Sequence, residues 1–236
     1  MNNWLRNSLY STRFCALCGL PAKTTISLCA ACYQDLPKLH HVCRQCGLPI
    51  AAASQYAYCG QCQQSPPPFT ETLSAYVYAE PIRPLITRMK FSGNLALAAL
   101  LGELLRDELQ PKINDTPAAI LPVPLHKKRL QQRGFNQSIE LARPLARQLD
   151  IPLLINAVER RVDTPSQTGL SKRQRHANLR HAFHAREPLD YRHVVIVDDV
   201  ITTGQTITAL SRCLRKAGVE RVDCWSLARA LPANAK

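Results

Sequence analysis

The stretch Val194-Val195-Ile196-Val197-Asp198-Asp199-Val200-Ile201-Thr202-Thr203-Gly204-Gln205-Thr206 decides the fold. With His193 before it, its first half is a continuous apolar run, as expected of a strand covered on both faces in a parallel sheet. Two carboxylates follow at the end of that strand. A turn rich in threonine and glycine then leads directly into a helix read over 206–217 and stopped by Gly218. A phosphate held at such a turn meets backbone N–H groups, threonine hydroxyls and the positive end of the helix dipole. The paired acids repel phosphate, so they must serve another group. A buried strand running into a capped helix would explain Thr203 or Thr206 as a cap, but it leaves two adjacent carboxylates without a role.

Outward from this stretch, strand and helix signals alternate. Strands are expected at 73–78 (LSAYVY), 118–123 (AAILPV), 151–158 and 221–227, and helices at 81–89, 95–109 and 137–149. The helix at 95–109 is aliphatic around most of its circumference and is read as largely buried. The alternation predicts an α/β domain with a mainly parallel, twisted sheet flanked by helices. The segment 160–183, RRVDTPSQTGLSKRQRHANLRHAF, is polar, basic and irregular, and it is read as a long functional loop.

The chain has 236 residues, 46% of them hydrophobic, enough for one α/β domain and a small appendage. Eight of its ten cysteines precede Ser65-Pro66-Pro67-Pro68, a stiff punctuation mark. The expected organisation is therefore a cysteine-rich domain over 1–65, a proline-rich linker over 66–72 and the α/β domain over 73–236. No apolar run is long enough to span a membrane and the N-terminal residues do not read as a signal peptide, so a cytoplasmic location is expected. The formal net charge of +13 favours phosphorylated or polyanionic partners without separating nucleic acid from small phosphates.

The early cysteines form four CxxC pairs: Cys15/Cys18, Cys29/Cys32, Cys43/Cys46 and Cys59/Cys62. Each tight knuckle can present two thiolates to one ion, and two knuckles complete a four-cysteine zinc site. Sequential pairing gives two structural zinc ribbons, and a single zinc with spare thiols is the alternative. Disulfides do not suit a reducing compartment, and a redox CxxC occurs once rather than four times. With so small a core this region is expected to depend on zinc for folding. Cys213 and Cys224 fall in a helix and a strand and are read as small buried hydrophobes.

Four apolar residues, two acids and a threonine/glycine loop resemble the phosphoribosyl pyrophosphate (PRPP) motif of type I phosphoribosyltransferases. Leu121-Pro122-Val123-Pro124-Leu125-His126, Arg129, and Arg133-Gly134-Phe135-Asn136-Gln137 resemble the central signature of the ComF/GntX family. Met89-Lys90-Phe91-Ser92-Gly93, the cysteine pairs and the proline linker extend that likeness over essentially the whole chain. The resemblance implies a type I phosphoribosyltransferase fold behind a double zinc ribbon, with a role in natural transformation or in the use of extracellular DNA. It implies that Asp198 and Asp199 bind the ribose hydroxyls, directly or through water on Mg²⁺, and that Thr202, Thr203, Gly204, Gln205 and Thr206 cradle the 5′-phosphate. Thr164, Gln167, Leu170, Arg173 and Asn178 loosely fit a loop that closes over pyrophosphate. Lys172, Arg173 and Arg175 are then candidates to stabilise the departing group. Lys90, placed in the turn after the first helix, is a further candidate, and His126 is one either for proton transfer or for positioning.

Three readings follow. The first is pentosyl transfer from PRPP to an acceptor that the sequence does not name. The second is single-stranded DNA binding, alongside DNA-uptake or recombination proteins. The third is sensing of PRPP without turnover.

Overall fold

The computed structural model describes residues 13–22, 26–52, 56–162 and 182–232. Two short strands, β1 (Arg13–Phe14) and β2 (Pro21–Ala22), pair antiparallel around the first cysteine knuckle. Two single-turn helices, α1 (Ala30–Gln34) and α2 (Gly60–Gln64), begin directly after Cys29 and Cys59. From there the chain runs β3 (Thr72–Val77), α3 (Ile82–Ser92), α4 (Leu95–Leu109), β4 (Ala119–Pro122), α5 (Lys127–Arg133), α6 (Gln137–Leu149), β5 (Val158–Arg160), β6 (Phe183–Ala185), β7 (His193–Ile201), α7 (Gln205–Lys216) and β8 (Arg221–Arg229).

β3, β8, β7 and β4 form a four-stranded sheet in that order, every pair parallel. Its two faces carry separate cores. Val195 and Val197 point into a cluster with α3, α4 and α6, whereas Val194 and Ile196 meet Ile207, Leu210 and Leu214, the apolar stripe of α7. This is the doubly covered sheet that the apolar run at 193–197 predicts.

α4 and α6 pack closely because α4 has no side chain where they meet. A Cβ on Gly102 would lie 2.9 Å from the Glu140 carbonyl oxygen and 3.0 Å from Cγ of Pro144. Pro144 lacks the N–H that would occupy that carbonyl inside a helix, so the backbone there is open to close approach. Gly102→Ala is expected to force the helices apart and destabilise the domain by about 1–3 kcal/mol, despite alanine's better helix propensity. Thermal denaturation checks this, and an unchanged or raised midpoint would refute it.

The first ribbon shares a core with the sheet: Cys15, Leu28 and Leu36 are buried in the same cluster as Tyr76. Backbone groups also run along β3, the edge strand. The Val77 N–H donates to the Pro37 carbonyl at 2.7 Å, the Thr72 N–H to the Arg44 carbonyl at 2.9 Å, and Lys38 bridges to Tyr76 antiparallel. Between the two parts Phe69 is buried, and the Thr70 N–H donates to the Val222 carbonyl.

Several expectations need correction. Residues 151–157 do not form a strand; they make one bridge, Leu153 to Ile120, and regular pairing begins only at Val158. Pro152, which donates no hydrogen bond, stands in the middle of that bridge region. Lys90 lies inside α3, which runs on to Ser92 and ends at Gly93 in the left-handed conformation. α5 was not expected at all. β5 and β6, at the two ends of the long basic segment, pair antiparallel with each other.

Candidate ligand site and zinc centres

β4 pairs with β7 only as far as Pro122 opposite Val197. β7 continues beside β8 to Ile201, so Asp198 and Asp199 lie where one neighbouring strand has ended. Such a crevice at the carboxyl end of a parallel sheet is where open α/β folds bind ligands.

Asp198 is half-buried, and its Oδ1 accepts from the Ser138 hydroxyl at 3.2 Å and from the Asp199 N–H at 2.9 Å. Asp199 is buried; its Oδ1 receives Lys90 Nζ at 2.9 Å, and its Oδ2 is buried with no hydrogen-bond partner. Burial first, and the Asp199 carboxylate second, push the Asp198 carboxyl up to about 7, against the opposing pull of Lys90. Arg133, at the end of α5, is close enough to be drawn by both acids, while its own burial lowers its pKa. Its guanidinium donates to Gln137 Oε1 at 2.7 Å and stacks 6.0 Å from the Phe91 ring centroid.

Asn136 caps α6 through the Ser138 N–H and, through its Nδ2, holds the Val123 carbonyl at 3.0 Å. The Arg133–Ser138 stretch thus ties the β4 exit, α6 and the acid pair together. His126 Nδ1 accepts from the Lys128 N–H at 3.4 Å and caps α5, which is a positioning role.

Beyond the acids, Thr202 and Thr203 are exposed, and Gly204 turns at φ +74° as the residue before α7. No side chain caps that helix, and the Gln205 N–H has only a long 3.5 Å contact with Thr203 Oγ1. The first N–H groups of α7 are therefore available to an anion, beside the half-exposed Thr206. Lys90 joins this constellation. Thr164, Gln167, Leu170, Lys172, Arg173, Arg175 and Asn178 lie outside the described residues.

The cysteines form two quartets, Cys15/Cys18/Cys29/Cys32 and Cys43/Cys46/Cys59/Cys62, with all sulfurs of a quartet within 4.8 Å of one another. Sulfurs 2.3 Å from a tetrahedral zinc would stand about 3.8 Å apart. Cys18 to Cys29 and Cys46 to Cys59 are each 3.8 Å, so the donor set fits the ion. The pairing is the sequential one.

In each quartet, backbone N–H groups overcome burial to hold one thiol low, Cys15 at about 6 and Cys43 at about 7. A neighbour is pushed up in response. Cys32 rises to about 12, chiefly through its bond to Cys29, and Cys46 to about 11, first by burial and then by Cys43. Four adjacent thiolates repel, and a central cation resolves the conflict. These are structural zinc centres.

Two further signals are present in the sequence. Cys-x-x-Cys-Gly-Leu-Pro occurs at 15–21 and again at 43–49, and both copies fold alike. In each, the first cysteine's N–H bonds the leucine carbonyl, and the glycine turns at φ +74° or +70°. The second signal is Arg133, drawn by both acids, in a segment quoted only for its likeness, with Ser138 one residue beyond that segment.

A model of the phosphoribosyl transferase domain matches residues 136–234, and a model of the double zinc ribbon domain matches residues 5–63. The chain is 39% identical to the DNA utilization protein YhgH of Escherichia coli over 92% of this chain and 97% of that protein. It is also 39% identical to competence protein F of Haemophilus influenzae, over 86% and 90%. Competence protein ComFC of Bacillus subtilis is 26% identical, over 86% and 84%. Among solved structures, glutamine PRPP amidotransferase from Bacillus subtilis aligns at 20% identity with a TM-score of 0.40, over 60% of this chain and 30% of that one. No helix among the described residues is long and apolar enough to cross a membrane.

Proposed function

Because this chain belongs to the family of DNA utilization protein YhgH and competence protein F, we propose that it binds PRPP with Mg²⁺ at the Asp198–Thr206 site and acts inside the cell in the uptake or use of DNA. Residues 1–65 are then the zinc-ribbon part, 66–72 the joint, and 73–236 the phosphoribosyltransferase part. The observation that carries the reading is an acid pair inside β7 just beyond the end of β4, held by Ser138 and Lys90, with an uncapped helix N-terminus a short turn further on.

In this reading Asp198 and Asp199 accept the ribose hydroxyls. The N–H groups of Gln205 and Thr206, with the Thr202 and Thr203 hydroxyls, hold the 5′-phosphate. Lys90 and Arg133 offset the charge of the acids and face the pyrophosphate. The free Oδ2 of Asp199 and the half-buried carboxylate of Asp198 suit a hard, oxygen-seeking cation. Mg²⁺, when bound, would neutralise pyrophosphate charge as the C1–O bond breaks. Catalysis would rest on positioning and charge stabilisation, with the acceptor nucleophile taking C1.

A second reading, single-stranded DNA binding, draws support from the exposed face of α7. Arg212, Arg215 and Lys216 stand there among the described residues without ion-pair partners, Arg212 and Lys216 beside a groove of about 940 Å³ also lined by Arg161 and Arg186. Isolated surface cations are usually just solvated, but a row of them beside a groove suits a polyanion.

Calorimetric titration of the zinc-loaded protein with PRPP and Mg²⁺, in parallel with a single-stranded oligonucleotide, tests both readings. Saturable PRPP binding is expected and would justify an acceptor screen for pyrophosphate release. A well-folded protein that ignores PRPP yet binds the oligonucleotide in a salt-sensitive way would overturn the first reading in favour of the second.

A further inference from the structure

We propose that Arg229 is a positioning residue that couples the second zinc centre to the phosphate loop, so that zinc at Cys43/Cys46/Cys59/Cys62 sets the loop's affinity for a phosphorylated ligand. The proposal rests on the reading of Thr202–Thr206 as a phosphate loop. The mechanical coupling itself does not depend on which ligand binds.

Arg229 closes β8 and is 4% exposed. Its Nε–H donates to the carbonyl of Cys46, a zinc ligand, at 2.9 Å. One terminal nitrogen reaches the carbonyls of Ile201 and Ala230 at 2.9 Å each, and that of Thr202 as well. A single guanidinium thus holds the second knuckle at one end and the entry to the phosphate loop at the other. Elsewhere between knuckle and loop lies a cavity of about 440 Å³ bordered by Cys62, Ser65, Thr203 and Leu231, so Arg229 spans a gap.

The charge balance gives the same answer. Among the described residues no carboxylate is paired with this buried cation, and a buried charge needs a counter-charge. A divalent ion held by four thiolates carries a formal charge of about −2. Loss of the metal slackens the Cys46 carbonyl that Arg229 holds. Arg229 is then left to rearrange among carbonyls that fix Ile201 and Thr202.

Among the described residues the first zinc centre has no comparable link. Its knuckle is reached from the α/β part by exposed Arg88, which donates to the Ala16 carbonyl at 3.3 Å, and Ala16 is not a zinc ligand. The two centres, built on the same repeat, are therefore expected to differ in their effect on the site.

Hydrogen exchange of the full, ligand-free chain reads the coupling directly. The amides to follow are Thr208, bonded to the Gly204 carbonyl, and Ala230, bonded to the Ile201 carbonyl. Arg229→Met with both zinc centres loaded, and Cys59→Ser, should each speed their exchange by about tenfold, a usual size for coupling between sites, whereas Cys29→Ser should not. Linkage is reciprocal, so saturating PRPP with Mg²⁺ should slow zinc release to a chelator from the second centre by a similar factor, and not from the first.

Unchanged exchange in a zinc-loaded Arg229→Met, or equal effects from the two cysteine variants, would overturn the proposal. If Arg229→Met does not fold, Arg229→Lys serves in its place: it keeps the charge but not the planar fork, and should show the same direction of change. Should the wild type fail to bind PRPP, the functional reading falls and the exchange result still decides the coupling.

Discussion

Replacing Asp198 and Asp199 together with asparagine should abolish PRPP binding while leaving affinity for inorganic pyrophosphate unchanged or higher. The acids repel phosphate and serve the ribose, so the two ligands respond in opposite directions. Each hydrogen bond from a ribose hydroxyl to an ionised carboxylate is worth about 1.5–3 kcal/mol, and losing both weakens PRPP by on the order of a hundredfold or more. Calorimetry without Mg²⁺, which the same acids would help to hold, measures both affinities, and equal losses for PRPP and pyrophosphate would show that the pair does not read the sugar.

Stability separates this loss from misfolding. Asp198 is held up to about 7, so the folded protein keeps a proton there that the unfolded chain has already released. Its contribution to stability is intact below about pH 4, declines as pH rises towards 7, and is flat above that. Asp198→Asn should remove that decline and gain on the order of 2 kcal/mol at neutral pH, after allowing for solvent at a half-buried group. Denaturant midpoints at pH 5 and pH 8 provide the check.

Stripping zinc should have the largest structural effect. Apparent binding energies of structural zinc are about 10–16 kcal/mol in small metal modules, more than ribbons of this size can otherwise supply. Leu28 and Leu36 would leave the core they share with Tyr76, and the Lys38 to Glu108 ion pair at 2.9 Å would open. β3 would lose its backbone contacts on one side and become an exposed edge prone to intermolecular pairing. Chelation is therefore expected to lower the melting midpoint by more than about 10 °C and to cause aggregation. A chelated protein that melts unchanged and remains monomeric would show that the ribbons fold without metal.

What could be read from the sequence follows the range over which each interaction acts. β7, its loop and α7 are contiguous, and a CxxC knuckle is four residues long, so apolar runs and spacing were enough to reveal them. The long-range contacts were not legible, because Ser138 meets Asp198 across 60 residues and Arg229 meets Cys46 across 183. Nothing local marks such an arginine apart from its place at the end of a buried strand. Lys90 was assigned to the site, but its helix was ended a turn too early. The strand expected at 151–158 failed because an apolar run resembles a strand whether or not a partner lies beside it. At Leu153 there is one bridge and no ladder.

The edge position of β3 also bears on how the polypeptide emerges from the ribosome. Its partner in the sheet is β8, and the Ser74 and Ser226 hydroxyls that meet at 2.7 Å are 152 residues apart. At typical synthesis rates of about 5–20 residues per second, β3 waits several seconds or more for that partner. The stretch from Pro37 to Arg44, made before it, can occupy the strand's other side at once. Metal capture by the nascent N-terminal segment would then decide whether the first strand of the sheet waits in the open or already half satisfied.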